Sequence, residues 1–109
     1  MPHDGLRELE HLVLLAISRL DTPVHGVPII AELHRTVGRQ VSRASIYVVL
    51  RRLESRGLVS SGLGDPTPQR GGRAKRHVTV TAAGMEALTR ALHAYERLLE
   101  GLDLRGAHA

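Results

Sequence analysis

The sequence predicts a mainly α fold with one small antiparallel hairpin. Three observations predict it. Apolar residues recur at helical spacing in four stretches. Two short extended segments, one of them strictly alternating, follow the third stretch. The chain has 109 residues, 42% of them hydrophobic, which suits a single domain with a modest core. Only Tyr47 and Tyr95 are aromatic, so that core must be built from Leu, Val, Ile and Ala.

The first helix reads from about Leu6 to Leu20. From Leu12 to Ile17 it is apolar on every side, whereas a surface helix carries one apolar stripe. It therefore needs cover on two sides. Asp21-Thr22-Pro23 ends it, because proline cannot continue a helix. A second helix fits Val27 to Val37, with Pro28 tolerated in the first turn and Gly38 closing it. Ile29, Ile30, Leu33 and Val37 form its core stripe. After a short connection, Ser42 has the side chain of a helix N-cap. The third helix runs from Arg43 to Arg56 and stops at Gly57, with Ile46, Val49, Leu50 and Leu53 turned inward.

Leu58–Leu63 and Lys75–Val80 are the two strands; in the second, Val78 and Val80 alternate with His77 and Thr79. The Pro- and Gly-rich stretch between them, residues 64–73, is a loop. Thr81 caps a last helix, Ala82 to Leu102, which Gly84 weakens slightly. Met85, Leu88, Leu92, Tyr95, Leu99 and Leu102 follow heptad spacing along it.

Helix, helix, short turn, capped helix, then a hairpin: this order is a winged helix-turn-helix. Residues 1–81 form that unit. Residues 82–109 form a C-terminal dimerisation helix and tail, packed with it as one structural unit. The third helix is the natural reader of a major groove. Its outer arc carries Ala44, Ser45, Tyr47, Val48, Arg51, Arg52 and Ser55, with Arg43 at the margin. Small residues at 44 and 48 let the helix axis approach the bases, and Arg43 can fork onto guanine or a phosphate. Arg51, Arg52 and Arg56 lie further along and suit phosphates. Tyr47 is either a phosphate donor or a partly buried helix aromatic. The hairpin tip adds Arg70, Arg73, Lys75 and Arg76, with two glycines before Arg73 that let it bend towards DNA. The candidate contact set is thus Ser42, Arg43, Ala44, Ser45, Tyr47, Val48, Arg51, Arg52, Arg70, Arg73, Lys75 and Arg76.

Charge points the same way. The formal net charge is +4, yet Arg35 to Arg76 alone holds ten basic and two acidic residues. A cationic block of this kind suits a polyanion, since each neutralised phosphate releases counterions. A solvated basic face is the alternative. The absence of Phe and Trp nearly removes base-stacking platforms for single strands. No cysteine means no disulfide scaffold, no Cys-ligated zinc and no thiol catalysis. The seven histidines include no pair at i, i+3 or i+4, so neither metal nor cofactor is expected. No nucleophile elbow or Gly-rich phosphate loop is present, so the chain does not read as an enzyme. Leu12–Ile17 is too short to span a bilayer, and Met1-Pro2-His3-Asp4 lacks the features of a secretory signal. The expected location is the cytoplasm.

VSRASIYVVLRRLESRGLV at 41–59 and GRAKRHVTVTAAG at 72–84 resemble the PadR family of transcriptional regulators, in its short subclass with one C-terminal helix. The first helix and His25-Gly26-Val27 fit too, so about residues 6–100 are covered. The resemblance implies a homodimer joined through the first and last helices. It implies a repressor at a palindromic operator, with Tyr47 touching the DNA backbone. The chain departs from the family in having Val27 where an aromatic is common. It also lacks the tryptophans between which some members hold planar drugs.

The dimer has a physical argument as well. A first helix apolar all round and a last helix with a leucine seam expose more apolar surface than one small domain covers. Twofold pairing would cover it through Leu12, Leu15, Met85, Leu88, Leu92, Tyr95, Leu99 and Leu102. An effector site, of unknown ligand, would lie between the first and last helices beside His11, His93 and Tyr95. The second functional reading is a winged-helix module that binds another protein, and not DNA.

Overall fold

Local chemistry sets the element boundaries. The computed structural model describes residues 6–21, 23–63 and 76–104, and the side chains of Leu63 and Arg76 fall outside that description. Helix α1 spans Glu8–Leu20, α2 Gly26–Val37 and α3 Arg43–Ser55; strands β1 and β2 span Val59–Leu63 and Arg76–Val80; α4 spans Ala82–Leu99. This is the mainly α chain with one antiparallel hairpin that the sequence predicts.

α1 begins two residues later than its apolar spacing suggests. The Glu10 carboxylate folds back to accept the Arg7 backbone N–H at 2.8 Å, which makes Arg7 the cap. Gly38 (φ 68°) ends α2 and Gly57 (φ 75°) follows α3, both left-handed as their positions after the last turn require. Ser42 Oγ accepts the Ser45 N–H at 3.1 Å and starts α3.

The hairpin pairs Val59 with Val80 and Ser61 with Val78. Val78 also exchanges two backbone hydrogen bonds with Val24, at 2.8 and 3.1 Å, on the edge of β2 away from β1. Residues after α1 thus serve as a one-residue third strand. The sequence reading treats them only as a helix stop, because a single bridge has no period to detect.

The core is aliphatic throughout. Val13, Leu14 and Ile17 of α1 meet Ile29 and Leu33 of α2, and Ile46, Val49, Leu50 and Leu53 of α3. Leu58, Val59 and Val78 close it from the hairpin side. Leu12 and Leu15 lie only partly buried at its edge.

α4 touches this core only through its first turns. Ala87 and Leu88 are buried, Leu88 to 2% exposure, whereas Leu92, Tyr95, Leu98 and Leu99 are exposed. The helix ends at Leu99, so Leu102 lies past it. The molecule measures 57 × 33 × 23 Å. Gly84 is no mere weak point in α4. A Cβ there would stand 2.1 Å from the Leu58 carbonyl oxygen, so the helix rests directly on backbone. Among the described residues no helix is long and apolar enough to cross a membrane.

Candidate nucleic-acid interface

Burying Ile46, Val49, Leu50 and Leu53 turns the other face of α3 outward. Ser42, Arg43, Ala44, Ser45, Tyr47, Val48, Arg51 and Arg52 are all exposed along one side of the molecule. Ser61 Oγ donates to Glu54 Oε2 at 2.6 Å, which ties β1 to the inner flank of the same helix. The hairpin is thereby held beside α3. Arg70, Arg73 and Lys75 lie outside the described residues; Arg76 opens β2 opposite Leu63, with its side chain undescribed.

Tyr47 is the partly buried helix aromatic of the sequence reading. It is 44% exposed, yet three ring and hydroxyl atoms stand 3.2 Å from the point a Cβ on Gly26 would occupy. The ring lies over the first turn of α2, where glycine leaves room for it. Nothing in the sequence pattern marks Gly26 for this role, because the contact joins two helices.

The charges sort into two groups. Arg39 Nη1 meets Glu8 Oε1 at 3.0 Å, Arg56 Nη1 meets Glu10 Oε1 at 3.7 Å, and Arg35 pairs with Glu32. The acidic residues flanking the cationic block in sequence therefore fold back onto part of it. Arg56 is accordingly not a free phosphate contact: it serves Glu10, a carboxylate only 4% exposed that needs a nearby cation. Arg43, Arg51 and Arg52 have no acidic partner among the described residues, and all three lie on the outer face of α3.

Glu32 anchors the back of the domain. It accepts from Arg19 Nε at 2.7 Å and Thr36 Oγ1 at 2.8 Å, and also from Arg35. These hydrogen bonds, the Arg19 one foremost, lower its pKa to about 2. This joins α1 to α2 on the side of α2 that carries Val37. The groove there, lined by Leu12, Leu15, Leu33 and Val37, is apolar and about 310 Å³ in volume.

Of the three effector candidates, the structure brings two together. His11 and Tyr95 meet edge to face with ring centroids 6.2 Å apart, and His11 Nε2 is buried with no hydrogen-bond partner among the described residues. His93 instead lies exposed near Glu96, at 3.8 Å. Of the candidate dimer residues, Met85, Leu92, Tyr95, Leu99 and Leu102 are exposed, while Leu88 is taken by the protomer's own core. The His25 and His77 rings are 5.6 Å apart, but among the described residues no third ligand completes a metal site.

The profile of the Transcriptional regulator PadR-like family matches residues 13–90. A curated relative, described as an uncharacterized 37.1 kDa protein in transposon TN4556 of Streptomyces fradiae, is 34% identical over 91 residues. That match covers 84% of this chain and 24% of the relative, so the chain spans about a quarter of that protein's length. A PadR-like transcription factor from Bacteroid fragilis superposes with a TM-score of 0.72 at 23% identity, over 84% of each chain. F93 from STIV, a winged-helix DNA-binding protein, superposes with a TM-score of 0.70 at 10% identity, over 90% of this chain and 98% of that one. At these identities the structural likeness is one of fold.

Proposed function

The chain belongs to the PadR-like family of transcriptional regulators, and from that premise we propose that it is a homodimeric repressor of a palindromic operator. That it is a DNA-binding transcriptional regulator, and not an enzyme, follows from the family and the winged-helix fold. The observation that supports DNA contact through α3 is the sorting of charge. Arg35, Arg39 and Arg56 are neutralised by carboxylates, while Arg43, Arg51 and Arg52 remain together on the outer face of α3.

In this reading α3 enters the major groove, with Ser42, Arg43, Ala44, Ser45 and Val48 towards the bases. Tyr47, Arg51 and Arg52 hold phosphates, and Arg70, Arg73, Lys75 and Arg76 of the hairpin hold the flanking backbone. Residues 1–81 read DNA and residues 82–109 pair the protomers. The exposed Met85, Leu92, Tyr95 and Leu99 support that pairing; Leu12 and Leu15 are half-buried in the groove they share with Leu33 and Val37. A twofold dimer would set two reading helices about 34 Å apart, one turn of DNA. A small effector would sit beside His11 and Tyr95, and DNA as the partner implies the cytoplasm as the compartment.

Footprinting on DNA selected from a random pool tests the reading. Protection of two symmetric half-sites is expected, with affinity falling steeply as salt rises. Absence of selected DNA, together with a stable complex with another protein, would favour an interaction module instead.

A further inference from the structure

α4 meets the end of the reading helix backbone to backbone. Thr81 Oγ1 donates to the Gly57 carbonyl at 2.7 Å and accepts the Gly84 N–H at 3.0 Å. The Thr81 N–H donates to the Leu58 carbonyl at 3.1 Å. That same carbonyl oxygen stands 2.1 Å from where a Cβ on Gly84 would be. Gly57 and Leu58 are the first residues after α3 and its cap. The Leu58 carbonyl and the Val80 side chain, whose Cγ1 is 2.8 Å from the same point, leave no room for a Cβ at Gly84, so the angle between α3 and α4 is set by hard contact.

We propose that this joint of Thr81 and Gly84 on Gly57 and Leu58 fixes the spacing of the half-sites the protein reads. The inference rests on the dimeric reading above. α4 has 18 residues, about 27 Å of helix, and Tyr95 lies roughly 16 Å along it from Gly84. Its apolar stripe from Leu92 onward is the face offered to a second copy. A helix that pairs at one end and pivots at the other acts as a lever. Seating a methyl group at position 84 requires opening the 2.1 Å gap to an ordinary contact of about 3.5 Å. With Leu88 held in the core one turn away, that opening becomes a tilt. Acting in both protomers, the tilt changes the separation of the two α3 helices on the scale of one base-pair rise, about 3.4 Å. Thr81 and Gly84 are thus positioning residues for operator geometry, though neither lies on the face offered to DNA.

The test uses DNA selected by the wild-type protein, remade with its centre lengthened or shortened one base pair at a time. Wild type should bind the selected spacing at least tenfold more tightly than its neighbours. Gly84→Ala should flatten that preference or move the optimum by one base pair, while remaining a dimer with an unchanged salt dependence. Thr81→Val should flatten it too, and Thr81→Ser should restore it. If Gly84→Ala does not fold, the two Thr81 variants decide. A folded, dimeric Gly84→Ala or Thr81→Val with the wild-type profile overturns the proposal. So does a wild type that binds its selected DNA with no spacing preference, which leaves the DNA-binding reading standing. A wild type that selects no DNA overturns that reading, and the joint's proposed role with it.

Discussion

The Tyr47 ring lies across Gly26, three of its atoms 3.2 Å from the position a Cβ would take. The reading helix and the first turn of α2 therefore meet through an aromatic face laid on bare backbone. The contact steadies a residue that is 44% exposed, and it sets the hydroxyl against the first turn of α2. Tyr47→Phe keeps the ring and removes only the donor. It should weaken binding to every duplex by about 2 kcal/mol, the net worth of one hydrogen bond in each protomer of the proposed dimer, or roughly thirtyfold. Gly26→Val displaces the ring itself and should cost more than Tyr47→Phe. Fluorescence anisotropy on selected and scrambled duplexes checks both; a Tyr47→Phe loss confined to the selected sequence would show base contact instead.

The division of the arginines predicts a division of salt effects. Each phosphate neutralised contributes about 0.9 to the slope of log affinity against log salt. Arg51→Ala or Arg52→Ala, present twice in the proposed dimer, should flatten the slope by about 2. Arg39→Ala and Arg56→Ala should leave it almost unchanged, because Glu8 and Glu10 already occupy those guanidinium groups. Equal slopes for all four variants would erase the distinction.

That division also shows where the sequence stops being legible. Local signals hold up at Ser42, which caps α3, and at Gly38 and Gly57, which follow α2 and α3 in left-handed conformation. The inward stripe of Ile46, Val49, Leu50 and Leu53 is likewise a matter of spacing within one helix. What needs two elements at once is not legible. Summed along the chain, Arg39 and Arg56 look like Arg51; only the fold brings the α1 carboxylates Glu8 and Glu10 to them. Gly84 reads as a helix weakness until Leu58 is placed beneath it. Leu88 keeps the heptad register of its neighbours, yet it lies on the turn of α4 that is buried in the core.

Glu32 gives the fold an acid limit. Its carboxyl is lowered from 4.5 to about 2 by the hydrogen bonds from Arg19, Thr36 and Arg35. A group with a depressed folded value stabilises the fold above its unfolded value. That contribution should be complete above about pH 4.5 and vanish as pH falls through about 2. Glu32→Gln should lower the melting temperature at pH 7 and converge with wild type only as pH falls below about 2. Thermal unfolding followed by circular dichroism across that range reads the difference; a constant gap at all pH values would show that the ionised carboxylate is not the cause.

Two leucines four residues apart on α4 serve different surfaces. Leu92 is exposed and Leu88 is 2% exposed, although both sit on the same heptad seam. Leu88→Ala removes core packing and should cost about 2–5 kcal/mol of folding stability, felt as a lower melting temperature. Leu92→Asp with Leu99→Asp places charge on the face offered to a second copy, where the protomer's own core does not need the leucines. The double variant should keep its helical spectrum and sediment as a monomer. Its DNA affinity should fall far more than that of Tyr47→Phe, because a monomer gives up the effective concentration that one bound half-site provides for the other. A double variant that remains dimeric would move the pairing surface away from Leu92 and Leu99, leaving the groove of Leu12, Leu15, Leu33 and Val37 as the apolar face to test next.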